Sequence, residues 1–162
     1  MHFHTLIDHY AAYDLWANSL FVKRLDREPT EVLDHEVPSS FPTLRTTLLH
    51  IRDAEHVWLC RLNNVAHSWP AEASIEPGSL LKHNVLLRDK VAQMSETMLE
   101  KNIAYPDLRG NNRQSAAWHM LMHCFNHSSY HRGQLVSMMH ALNMDEIPTS
   151  DLIVYFRSIK TS

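Results

Sequence analysis

Apolar residues recur at every third or fourth position through four long stretches of this chain, a period that points to amphipathic helices. The first stretch, about 3–26, aligns Phe3, Leu6, Tyr10, Tyr13, Ala17, Leu20 and Leu25. The second, about 42–65, aligns Leu44, Leu48, Ile51, Ala54, Trp58 and Leu62. The third, about 79–102, carries Leu80, Leu87, Val91, Met94 and Met98. The fourth, about 113–142, carries Leu121, Cys124, Ser128, His131, Leu135, Met138 and Leu142. Pro29 lies just past the first stretch, Pro42 suits the first turn of the second, and Ser79 suits an N-cap. The intervening segments EPTEVLDHEVPSSFP, SWPAEASIEPG and YPDLRGNN read as loops. Helices of roughly 22–30 residues span about 33–45 Å. Four of them, each with one apolar stripe, predict an all-α four-helix bundle. The terminal DLIVYFRSIK has strand propensity but no partner strand, so a short C-terminal helix is expected there. Only three glycines occur, which agrees with long helices and argues against a glycine-loop nucleotide site.

A chain of 162 residues predicts one domain, 1–162, large enough to bury a core. The net charge of −3 offers no basic excess, so no nucleic-acid partner is expected. Cys60 and Cys124 form no disulfide framework and read as small core residues in a reduced, cytoplasmic protein. The opening MHFHTLIDHY lacks a basic-then-apolar signal pattern, and no apolar run nears the ~18 residues needed to span a bilayer.

Histidine is in excess, with 13 in the chain. His119, His123, His127 and His131 lie four apart on the fourth helix. Each step of four drifts by ~40° around the axis, so adjacent pairs share a face but all four do not. Ser128 and His131 interrupt the apolar stripe between Cys124 and Leu135, leaving room for something polar at that level. A two-histidine pair needs further ligands, and the second helix offers His50 beside its core stripe, with Asp53, Glu55 and His56 nearby.

The segment His123-Cys124-Phe125-Asn126-His127-Ser128-Ser129-Tyr130-His131-Arg132-Gly133-Gln134-Leu135 is the most specific of four that together resemble the DinB/YfiT-like superfamily of small metal-binding helical proteins. Leu49-His50-Ile51, followed by Asp53-Ala54-Glu55 and Trp58, resembles the family's second helix, and Tyr10 to Asn18 resembles its opening segment. Thr149 to Tyr155 resembles the family's ending. The resemblance implies an up-down-down-up bundle, frequent homodimers, and a divalent metal held by His50, His127 and His131. His123 matches a position that supports the site or packs the helix, while Asn126 and Gln134 match pattern positions without an assigned role.

Three neutral imidazoles leave a position open on the ion, the arrangement of catalytic sites. Imidazole suits Zn²⁺ and Ni²⁺, and also Fe and Cu, so ligand type does not select the metal. Each ligand is expected to donate its other ring N–H to an acceptor, for which Asp14, Asp53 and Glu55 qualify by type. Two reactions on a small-molecule substrate fit such a site. The first expectation is a thiol-dependent S-transferase-like reaction using a low-molecular-weight thiol; metal-assisted hydrolysis is the alternative. A non-catalytic metal-binding role is the third reading. Trp69, before Pro70 in a loop, is a candidate for the mouth of the pocket.

Overall fold

The computed structural model describes residues 2–107 and 109–159, and these are mostly helical. Four long helices carry the fold: α1 (Phe3–Leu25), α3 (Leu44–Leu62), α4 (Ser79–Ala92) and α6 (Ala117–Ala141). Short elements join them: α2 (Thr30–Leu33), α5 (Glu96–Glu100), and a hairpin of β1 (Asn102–Pro106) and β2 (Asn112–Ala116). The last element, α7 (Leu152–Ile159), is the expected C-terminal helix and lays Tyr155 against Tyr13 and Trp16 of α1.

The hairpin corrects the all-helical expectation. The third apolar stripe runs on to Met98, but α4 stops at Ala92. Ser95 then caps the short α5 by accepting from the Met98 amide at 3.2 Å. Asn102 pairs with Ala116 and Pro106 with Asn112 in an antiparallel register. Asp107 turns the chain by accepting from the Arg109 and Asn111 amides, each at 2.9 Å, and Gly110 supplies a φ of 80°. Residues 113–116 are therefore a strand, and α6 begins four residues later than the period suggests.

Helix starts differ in detail from expectation. Thr43, not Pro42, opens α3: Thr43 and Thr46 exchange side-chain-to-amide bonds of 3.1 Å in a capping box. Gly78 is the N-cap of α4, and Ser79 is its first helical residue.

Two apolar clusters of the four long helices flank a polar layer, and a third, smaller cluster of Tyr13, Ala17 and Tyr155 joins α1 to α7. One cluster joins Ile7 and Ala11 of α1, Leu62 of α3, Leu87 and Val91 of α4, and Leu121, Cys124 and Phe125 of α6. The other joins Phe21 and Leu25, Leu44 and Leu48, Leu80, and Leu135 and Met138 of the same four helices. Between them each helix contributes buried polar groups: Asp14 and Asn18, Glu55, Asn84, and Ser128 and Arg132. The histidines of interest lie beside this layer in sequence, on α3 and α6.

Candidate metal centre

His50 lies in the second turn of α3, and α3 packs directly on α6. On α6 the i, i+4 spacing sets His127 and His131 on one face, with ring centroids 4.4 Å apart. Their Nε2 atoms are 3.1 Å apart, and His127 Nε2 is 3.0 Å from His50 Nε2. One nitrogen from each of the three rings falls within 4.8 Å of the others. The structure therefore brings together the three positions expected to ligate a metal.

Proton bookkeeping tests whether these nitrogens suit a cation. Gln134 donates its amide to Ser40 Oγ at 2.9 Å, which turns its Oε1 toward His131. His131 Nδ1–H donates to that oxygen at 2.8 Å, leaving Nε2 as a bare lone pair. A single proton on His127 Nε2 makes a straight bond to His131 or to His50, not to both. A cation at the convergence point satisfies all three lone pairs at once. Nitrogens about 2.0–2.1 Å from one ion lie roughly 3.0–3.4 Å from each other, close to the two short separations.

The rings are held in the neutral form that binds metal. Burial, with His131 nearby, draws the His50 pKa down to about 4. Burial, with His131 and His50 adding to it, draws His127 to about 3. Burial also lowers His131, against the opposing bond to Gln134.

Aromatic groups enclose the triad. Phe41, from the segment before α3, stacks on His50 at 4.0 Å between centroids and meets His131 edge-on at 5.5 Å. Trp69 stands edge-on to His50 at 5.8 Å and is 56% exposed, as suits a residue at the mouth of a site. Tyr130, also exposed, approaches His131 at 5.1 Å.

Other sequence candidates fall elsewhere. Asp53 accepts from Arg52 Nε at 2.8 Å and the Ala71 amide at 3.0 Å, and it does not bond a triad ring. Asp14 and Glu55 belong to the buried polar layer. The expected carboxylate acceptors behind the histidines are thus replaced, for His131, by Gln134; His50 Nδ1 is buried without a hydrogen-bond partner. His123 packs against Trp58 at 4.9 Å, a packing role, and Asn126 is exposed. Cys60 and Cys124 are buried free thiols; Cys60 lies 3.6 Å from His56 Nε2, and burial raises the Cys124 pKa. Phe41 and Ser40 carried no signal in the sequence, because their roles depend on where a loop folds back.

Comparison with known proteins places this arrangement in a family. The DinB family model matches residues 1–153. The chain belongs to the DinB family. The Protein DinB of Bacillus subtilis (strain 168) is 22% identical over 160 residues, covering 92% of each chain. The crystal structure of a DinB-like protein from Bacillus cereus ATCC 10987 superposes with a TM-score of 0.60 at 19% identity. That match covers 82% of this chain and 89% of the other, and it establishes a shared fold. No described helix of this DinB-family chain is long and apolar enough to cross a membrane.

Proposed function

We propose that this chain is a metal-dependent enzyme whose His50, His127 and His131 hold a divalent transition metal for a thiol-dependent S-transferase-like reaction. The observation that carries this reading is the convergence of three neutral imidazole nitrogens that cannot all satisfy one another. Zn²⁺ or Ni²⁺ suits the donor set best, and Fe or Cu also fits. Bound there, such an ion supplies Lewis acidity that favours the thiolate of a low-molecular-weight thiol. The protein's own groups hold and screen the site. Gln134 fixes the His131 tautomer, Phe41 covers two of the rings, and Trp69 and Tyr130 flank the approach of a small-molecule substrate. Thiol transfer is preferred to hydrolysis because Asp14, Asp53 and Glu55 are committed to other partners and none bonds a triad histidine.

The test mixes metal-loaded protein with a cysteine-containing thiol and an electrophile. Thioether formation that disappears in His127→Ala supports the reading; activity unchanged by that substitution excludes this site as the catalyst.

The reading extends to architecture and setting. An up-down-down-up order of four bundled helices is supported by the core: the starts of α1 and α6 share one cluster with the ends of α3 and α4. A homodimeric, cytoplasmic protein that does not bind nucleic acid completes the proposal, and light scattering and retention on duplex DNA test its first and last parts.

A further inference from the structure

Five arginines are buried in this molecule: Arg24, Arg45, Arg52, Arg61 and Arg132. Four of them have a carboxylate within 2.9 Å, from Asp145, Asp34, Asp53 and Asp14 respectively. Arg61 has none within 4 Å among the described residues, although only 8% of it is exposed. Its hydrogen bonding is also incomplete. Nη2 donates to the Pro106 carbonyl at 3.2 Å, while Nε is buried with no partner. Asp107, whose charge favours the guanidinium from farther away, is occupied at the hairpin tip by Arg109, Asn111 and Arg113.

Two features favour the cation without completing it. The guanidinium carbon stands 4.5 Å from the Trp58 ring centroid and 4.8 Å from that of Tyr105. The residue also sits in the last turn of α3, where helix carbonyls favour positive charge. Neither feature gives Nε an acceptor, and a buried charge with an unmet donor is destabilising. Arg61 opens onto a cavity of about 380 Å³ that is also lined by Asn64, Val65, His67, Tyr105 and Pro106. The walls thus combine one guanidinium and the polar side chains of Asn64, His67 and Tyr105 with apolar surface.

We infer that this cavity, between the end of α3 and the hairpin, is a binding site for a small molecule bearing an anionic oxygen group, a carboxylate or a phosphate, with Arg61 as its counter-ion. The planar fork of arginine matches the two oxygens of either group, and the apolar walls accept a short aliphatic or aromatic remainder. The site is separate from the histidine centre and does not depend on metal being bound there.

The experiment follows the side-chain Nε–H signal of Arg61 by nitrogen-15 NMR in the full chain. Sodium butyrate and inorganic phosphate are titrated separately, each against sodium chloride at equal ionic strength. A saturable shift of that signal with butyrate identifies a carboxylate site; with phosphate, a phosphate site; with both, a general oxyanion site. Affinity falls by about tenfold or more in Arg61→Gln, as expected for loss of a charge-assisted pair. It is unchanged in His50→Ala. No saturable shift beyond that with chloride overturns the inference, as does equal affinity in Arg61→Gln. Should Arg61→Gln not fold, the wild-type titration alone decides.

Discussion

Two polar regions lie side by side on α6, and they solve opposite problems. Ser128 and Arg132 face the polar layer; His127 and His131, one position earlier in each case, face His50. In the layer, donors meet acceptors. Arg132 Nη1 donates to Asp14 at 2.7 Å, to Asn18 Oδ1 at 2.8 Å and to Ser128 at 3.0 Å. Asn18 donates within reach of Glu55 and Asn84, and Asn84 donates to Glu55. Four helices are tied at one level by groups that are almost entirely buried. In the histidine centre, by contrast, lone pairs converge on one another; His50 and His127 remain partly open to solvent and His131 is buried. The first arrangement pairs its carboxylates and amides within the protein, although Arg132 Nε is buried without a hydrogen-bond partner, and it serves to fix the helices. The second leaves converging lone pairs that a cation could satisfy. The same helix face-shift of one residue separates structure from chemistry.

The largest expected effect breaks the layer. Arg132→Met leaves Asp14 buried and unpaired, and it should lower the free energy of unfolding by about 3–5 kcal/mol in urea titration. A loss below about 1 kcal/mol would mean that the layer does not hold the helices. His127→Ala should act in the opposite sense, abolishing stoichiometric metal binding in calorimetry while leaving the metal-free protein folded. Next comes Gln134→Ala, which frees the His131 ring and should weaken metal affinity about 10–100-fold. Loss of less than twofold would show that the tautomer is fixed by something else.

The two regions should also pull stability in opposite directions with pH. Burial, with Asp14 beside it, raises the Glu55 pKa well above the usual carboxylate value, against the pull of Arg132. The folded state therefore holds that proton more tightly, and the associated stability is lost as pH rises above the ordinary glutamate range. His50 and His127 have depressed pKa values, so their contribution is present above about 6.5 and lost as pH falls toward about 4 and about 3. Thermal melts of metal-free protein across pH should show Glu55→Gln flattening the upper limb and His50→Phe flattening the lower one. Unchanged limbs would contradict the assignment of each slope to its region. The smallest effect is expected of Phe41→Ala, which removes the ring stacked on His50 and should weaken metal affinity by less than about tenfold.

What the sequence revealed divides along physical lines. Helical periodicity and the i, i+4 histidines were legible because both are properties of a single helix. The triad needed His50 from a second helix, and the family resemblance, more than the spacing, selected it. The hairpin was hidden because its strands are only five residues each and the second, Asn112–Ala116, is polar and mostly exposed, so neither shows a clear apolar alternation; the Asp107 turn and the pairing register define it. The polar layer was missed for a different reason. Asp14, Asn18, Glu55, Asn84, Ser128 and Arg132 are ordinary surface-type residues in sequence, and their meaning lies in meeting across four helices. Gln134 was visible as a motif position, but its role needed the loop that brings Ser40 to it.

The central claim is tested most directly by equilibrium dialysis against Zn²⁺ or Ni²⁺, followed by elemental analysis of the wild-type protein and of His50→Ala/His127→Ala/His131→Ala. The account predicts about one tightly held ion per wild-type chain and none in the triple variant. A wild-type protein that retains no metal, or a triple variant that retains as much as the wild type, would contradict it.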